Sequence, residues 1–224
     1  MTFSIVARCP ESGMFGVAVS SSSPAVAARC AYARAGVGAV ASQNITDPTL
    51  GKRALDLMSL GAEAAQAIEI IRVSSPHIAV RQVLAVDATG RSAIHSGSNI
   101  LGTWAEARDE NVACAGNLLA DAGVPKAMAD AFKRSRGQLG DRLLVAMHAG
   151  LAAGGEAGPV RSAGLLLVRE VPWPVADLRV DWTETCPIQA LSALWAIYKP
   201  QLDDYVIRAL NPSAAPKYGV PGDP

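Results

Sequence analysis

Apolar and polar residues alternate from the start of the chain. Over residues 2–8, Phe3, Ile5 and Ala7 fall on one face while Thr2, Ser4 and Arg8 fall on the other, the two-residue period of a strand. Residues 14–20 repeat it, with Phe15, Val17 and Val19 opposite Gly16, Ala18 and Ser20. The intervening Cys-Pro-Glu-Ser-Gly reads as a turn, so the chain is predicted to open on a β-hairpin. A third strand is predicted over residues 36–42, after the run Ser20-Ser21-Ser22-Ser23 and a variable connection.

The period then lengthens. Asp47 followed by Pro48 marks a helix start, Leu50, Ala54, Leu57 and Met58 form one face, and Gly61 marks the stop. A second helix is predicted over 62–73, and a hairpin over 82–86 and 91–95 around Asp87-Ala88-Thr89-Gly90. A strand over 111–115 leads to Gly116-Asn117. Helices follow over 125–135 and 139–153, then strands over 161–168 and 177–182, one long helix over 188–210 and a proline-rich irregular tail over 212–224. Strands and helices come in groups rather than alternating singly, which argues against a parallel doubly wound sheet. The order predicts an α+β fold, a four-layer αββα sandwich of two mainly antiparallel sheets between helical layers. Residues 1–183 are expected to form the domain, with residues 184–224 as a C-terminal helix and tail.

Composition narrows the function. Half of the 224 residues are apolar, and 20 basic residues balance 20 acidic ones, so no electrostatic case exists for nucleic acid or a membrane surface. No stretch approaches the roughly 20 apolar residues of a spanning helix, and the first residues lack the apolar core of a secretory signal. The cytoplasm is the expected location and a small molecule the expected substrate. Leu191, Leu194, Trp195, Tyr198, Leu202, Tyr205 and Val206 give the last helix a broad apolar face, expected to pack on the domain or on a second copy in a homodimer. The four cysteines lack zinc-site spacing, and His77, His95 and His148 lie on different elements, so neither metal nor cofactor is expected. His95 ends a strand and could face a pocket.

The candidate chemistry begins at Thr2. A threonine hydroxyl needs an adjacent base, and an N-terminal threonine carries one in its own α-amine, whose ordinary pKa is about 7.7–8.0. Removal of Met1 would expose it, at the start of a rigid strand. The serine run ends the second strand at the same edge of the hairpin. Gln43 and Asn44 follow the third strand and precede the Asp47 cap, a setting for an oxyanion hole, and Asn117 holds a similar position after another strand.

The stretches TFSIVAR, GMFGVAVSS, AGVGAVASQNITDPTLG, AGNLLA, RSAGLLLV and DLRVDW resemble a bacterial family, the domain of unknown function 1028 family, over about residues 2–183. The resemblance implies an N-terminal-nucleophile (Ntn) hydrolase-like αββα fold, as in proteasome β-subunits. It implies amide hydrolysis with Thr2 as nucleophile, of a small amide, lactam, cyclic imide or ureide. It places Ser21 or Ser22 where proteasome-like members keep an acidic helper. Ser42, Gln43 and Asn44 fall near the oxyanion turn, and Asn117 and Ser162 on site-facing segments. The chain departs from the proteasome pattern in having no carboxylate at the end of strand two and no lysine at the third strand. Arg29, Arg34, Glu156 and Arg161 are the charged residues available to substitute. A non-catalytic member that binds a metabolite or a protein is the alternative.

Overall fold

The computed structural model describes residues 1–219. β1 (Thr2–Arg8) and β2 (Phe15–Ser21) form the opening hairpin. A one-turn helix, α1 (Ala27–Cys30), and a short strand, β3 (Ala31–Arg34), lead into β4 (Gly38–Asn44). Next come α2 (Pro48–Ser59), α3 (Ala64–Ser74), β5 (Arg81–Asp87), β6 (Ser92–Ser96), β7 (Ala105–Asp109) and β8 (Val112–Asn117). α4 (Val124–Arg134) and α5 (Leu139–Ala152) precede β9 (Ser162–Val168) and β10 (Ala176–Val180). α6 (Pro187–Tyr198) and α7 (Leu202–Leu210) complete the order.

The strands form a six-stranded sheet, β10-β9-β2-β1-β8-β7, and a four-stranded sheet, β3-β4-β5-β6, with every pairing antiparallel. Strand alternation divides most of the described strand side chains among three cores. Phe3, Ile5 and Ala7 of β1 point outward and are buried with Met128, Phe132, Leu143 and Met147 of α4 and α5. Val6, Val17, Ala39, Ala41, Leu84, Val86, Ala113 and Ala115 meet between the sheets. Val40, Val83 and Ala85 of the second sheet pack beneath Leu50, Ala54, Ile68 and Ile71 of α2 and α3. This is the four-layer αββα sandwich expected from the element order. Among the described residues no helix is long and apolar enough to cross a membrane.

The differences from the sequence expectation have local causes. β3 and β7 leave no clear alternation because both are short, half-exposed edge strands; Ala-Glu-Ala-Arg-Asp of β7 consists mostly of helix-forming types. β4 runs on to Asn44, so Gln43 projects from a strand rather than from a strand-to-helix turn. The single helix expected over 188–210 is two helices joined by a 3-10 turn, Lys199–Gln201, where Pro200 cannot supply an interior backbone donor. Ile188, Leu191 and Trp195 of α6, with Leu202 and Val206 of α7, are buried in the same core as Phe3 and Leu143. Pro212–Ala214 of the expected tail forms a 3-10 turn, and residues 220–224 lie outside the described residues.

The α2 start forms as anticipated, with the Asp47 side chain accepting from the Thr49 N–H at 2.9 Å and Pro48 in the first turn. Asp87, 3% exposed, joins the β5–β6 turn to α3. Its carboxylate accepts from the backbone N–H groups of Ala64, Thr89 and Arg91, the Thr89 hydroxyl and Arg91 Nε, at 2.8–3.1 Å. Burial opposes its charge, but those donors outweigh burial and hold its pKa below the ordinary 3.8. A depressed native pKa means stabilisation that is full above the unfolded value and lost as pH falls through the native one. Asp87→Asn is therefore expected to cost about 1–3 kcal/mol in urea melts at neutral pH, with the difference from the parent closing at strongly acid pH.

Candidate active site at one end of the sheet sandwich

The inter-sheet layer is apolar along most of its length and polar at one end. The register creates this. Thr2 of β1 lies opposite Asn117 of β8, and Ser21 of β2 lies opposite Ser162 of β9. Thr2 Oγ1 comes within 3.4 Å of Ser21 Oγ, so four adjacent strands present Ser162, Ser21, Thr2 and Asn117 in one row. Directly opposed residues on antiparallel strands project to the same side, which places all four in contact range of their neighbours. The facing sheet supplies a matching row, Gln43, Gln82 and Ser96, paired across β4, β5 and β6. Thr2 is 6% exposed, and Ser4, Ser21, Gln43, Gln82, Asn117 and Ser162 are fully buried.

Buried amides must be hydrogen-bonded, and here the network fixes which way each points. Gln43 Nε2 donates to the backbone carbonyl of Ala115 at 3.2 Å and to Gln82 Oε1 at 2.8 Å. Gln82 Nε2 donates to Ser96 Oγ at 3.0 Å and is 3.4 Å from the Gly116 carbonyl. A backbone carbonyl can only accept, so the nitrogens of both glutamines must face β8. Gln82 Oε1 is then an acceptor, and the Asn117 atom 3.3 Å away must be Nδ2. Ser4 Oγ donates to Gln43 Oε1 at 2.7 Å. Asn117 Oδ1 is left buried without a partner, beside Thr2.

Met1 closes this end. Its carbonyl oxygen accepts from Ser21 Oγ at 2.5 Å and, in a very short contact, from Thr2 Oγ1. Its side chain lies along Gly158, where an added Cβ would meet Met1 Cε at 3.5 Å. Ser162 organises the adjoining loop, donating to the Ser23 carbonyl at 2.6 Å and accepting from the Val26 N–H at 3.3 Å. Glu156 approaches from the other side, 4% exposed, with both carboxylate oxygens 3.1–3.2 Å from the Ser22 backbone nitrogen. Gly154 and Gly155, both at positive φ, turn the chain out of α5, and a bridge to Leu119 holds Glu156 in place. Burial pushes the Glu156 carboxyl up to about 7, against the α-ammonium and the Ser22 N–H, which pull it down.

Of the residues singled out in the sequence, Thr2, Ser21 and Asn117 come together, with Gln43 behind them and Ser162 at the loop. Ser22 contributes its backbone N–H. Two candidates lie elsewhere. Asn44 adopts φ +71° and uses its amide to join loops, donating to the Val80 carbonyl at 2.7 Å. His95 opposes Val83, whose side chain belongs to the α2–α3 core, so it faces the outer helical layer; its Nε2 is 3.2 Å from the Ile78 carbonyl. Gln43, expected at an oxyanion hole, spends its amide donors on Gln82 and Ala115. His148 sits 2.9 Å from Ser192 in a cleft of about 750 Å³ between α5 and α6, across the first sheet from the Thr2 hydroxyl. Among the described residues no group of His, Cys, Asp and Glu has the arrangement of a metal site.

The charged candidates separate cleanly. Arg34 pairs with Asp56, Arg161 with Glu184, and Arg29 donates to the carbonyls of Pro24 and Ala25, which leaves Glu156 as the one of the four whose side chain hydrogen-bonds Ser22, the residue after Ser21. Ser4, Gln82 and Ser96 join the site although they are not among the residues singled out above. Their signal was present, since each is a polar residue on the inward side of an otherwise apolar alternation.

Residues 2–191 match the model of a family of unknown function, DUF1028. The crystal structure of protein SPO2555 from Silicibacter pomeroyi, described with the same family model, is 30% identical, with TM-score 0.82 over 92% of this chain and 91% of its own. Anbu, the ancestral beta-subunit from Yersinia bercovieri, is 12% identical, with TM-score 0.41 over 91% of this chain and 96% of its own. No curated protein matches the chain.

Proposed function

The chain belongs to the DUF1028 family, and from that starting point we propose that it is an Ntn hydrolase cleaving the C–N bond of a small amide, lactam, cyclic imide or ureide. The observation that carries this reading is the placing of Thr2: the first residue of a central strand, in a buried polar end, with a second hydroxyl at 3.4 Å.

Loss of Met1 makes Thr2 the amino terminus and frees both hydroxyls. Thr2 Oγ then attacks the substrate carbonyl while the Thr2 α-amine takes the hydroxyl proton. The carbonyl oxygen of Met1 stands in for the substrate oxygen, and the Ser21 hydroxyl already donates to it, so Ser21 is the donor for the developing oxyanion. The α-ammonium passes its proton to the leaving nitrogen as the C–N bond breaks. Water then hydrolyses the acyl-threonine ester. Gln43 and Gln82 fix Asn117 beside the nucleophile, and no cofactor enters the scheme.

Small substrates suit a site walled by strand residues. The outward side of α6 and α7, with Leu194, Ile197 and Leu210 exposed, supports a second copy of the chain as the partner. One observation favours the alternative, a non-catalytic binding protein: among the described residues no lysine or arginine side chain makes a hydrogen bond or ion pair with Thr2, Ser21 or Asn117. A β-lactone probe separates the two. An acyl adduct on the N-terminal peptide, absent from Thr2→Ala, is the expected result, whereas no adduct on the Met1-free protein favours the binding protein.

A further inference from the structure

We infer that Glu156 is the counter-ion of the chain's α-amino group and sets the basicity of that amine, a positioning role that rests on the hydrolase reading above. Three features of its surroundings lead there. Glu156 is 4% exposed, yet among the described residues Ser22 alone hydrogen-bonds its carboxylate, the backbone N–H lying 3.1–3.2 Å from the two oxygens. Ser21, the preceding residue, donates to the Met1 carbonyl, which puts the carboxylate and the amino terminus at the same strand end. The Leu119 bridge, two residues beyond Asn117, anchors Glu156 on the far side of Thr2's strand.

A carboxylate this sheltered retains its charge only against a nearby cation. The basic side chains on neighbouring segments are engaged with other groups. Arg161 Nη1 lies 2.7 Å from a Glu184 carboxylate oxygen and its guanidinium sits over Trp182, while Arg29 reaches the Pro24 and Ala25 carbonyls. The charge acting on Glu156 is the α-ammonium, which opposes the upward push of burial. Removal of Met1 carries the amine one residue, about 3.5 Å, along the strand toward Thr2 Oγ. The carboxyl, pushed up to about 7 by burial, then shares a proton with the neighbouring amine. The pair keeps a proton acceptor beside the nucleophile without a lysine.

Cyanate carbamylation reads the amine directly, because only the neutral amine reacts. The protein is treated over a pH series, and mass spectrometry of the N-terminal peptide gives the titration midpoint, with lysine peptides as internal references. A neighbouring carboxylate favours the charged amine, so Glu156→Gln should move the midpoint to lower pH and Glu156→Asp should move it less. Equal midpoints in parent and Glu156→Gln, with unchanged lysine peptides, would overturn the assignment. The readout needs no turnover and serves with or without Met1, so failure of the hydrolase reading leaves the amine result standing, and the reverse.

Stability gives a second measurement. The native pKa of Glu156, about 7, lies above its ordinary 4.5, so the native state holds the proton more tightly and the parent loses stability as pH rises between those values. Glu156→Gln should therefore melt at or above the parent temperature at alkaline pH, and that gain should fade below 4.5. A Gln variant that melts lower than the parent at alkaline pH would contradict the burial on which the pairing rests.

Discussion

Thr2→Ala is expected to reduce turnover of a small amide substrate by on the order of 10,000-fold or more, while Thr2→Ser retains measurable activity. The size follows from geometry. Thr2 joins the proposed attacking oxygen and the proposed base in one residue, and alanine removes the oxygen while leaving the amine without a proton to take. Ser21 cannot replace it, because its main-chain nitrogen is an ordinary peptide N–H within β2. Serine at position 2 keeps the hydroxyl and loses only a methyl group. The packing change is small in both variants, since Thr2 faces the polar inter-sheet end and not the Phe3 core. Melting temperatures should therefore stay close to the parent, which separates lost chemistry from lost fold. Ser21→Ala removes one oxyanion donor and should slow turnover on the order of a hundredfold. Comparable turnover in Thr2→Ala and the parent would remove Thr2 from the mechanism.

Gln82→Ala is expected to destabilise the protein by about 2–4 kcal/mol. Gln82 is fully buried at the centre of the amide network. Its oxygen accepts from both Gln43 and Asn117, and its nitrogen donates to Ser96. Truncation leaves Asn117 with neither amide atom paired, because its Oδ1 already lacks a partner. It also removes the closer of Gln43's two acceptors, at 2.8 Å against 3.2 Å for the Ala115 carbonyl. Each orphaned buried donor costs about 1–3 kcal/mol, and the lost side-chain volume adds to that. Gln82→Met restores volume but not the acceptor, so it should recover only the packing share. A double-mutant cycle of Gln82→Ala with Gln43→Ala should show less than additive loss, since both changes break one hydrogen bond. Urea melts measure all of these. A cost below about 0.5 kcal/mol for Gln82→Ala would mean that the network contributes nothing to holding Asn117.

The parts of the molecule legible in the sequence were those encoded over short distances. Alternation in residues 2–8 and 14–20 gave the central hairpin, and Asp47-Pro48 gave the start of α2. Asp87 to Gly90 gave the β5–β6 turn. Thr2, Ser21 and Asn117 could be proposed because each sits at a strand end. Their meeting in one row is a matter of register among β2, β1 and β8, segments up to 115 residues apart in Thr2–Asn117 numbering. Glu156 was only one of four charged residues that could serve. What brings it to Ser22 is the pair of positive-φ glycines after α5 and the Leu119 bridge, neither of which leaves a periodic mark. Asn44 and His95 lie away from the row for a related reason. A strand end and a loop look alike in sequence, and one residue of register decides whether a side chain faces the site or the outer helices.

Intact mass of the untagged protein tests the central claim most directly. The account predicts a chain lighter by one methionine, with Thr2 as its amino terminus. A mass that retains Met1 would contradict it, because the Thr2 nitrogen would remain a peptide nitrogen unable to act as base, and both hydroxyls would stay bound to the Met1 carbonyl.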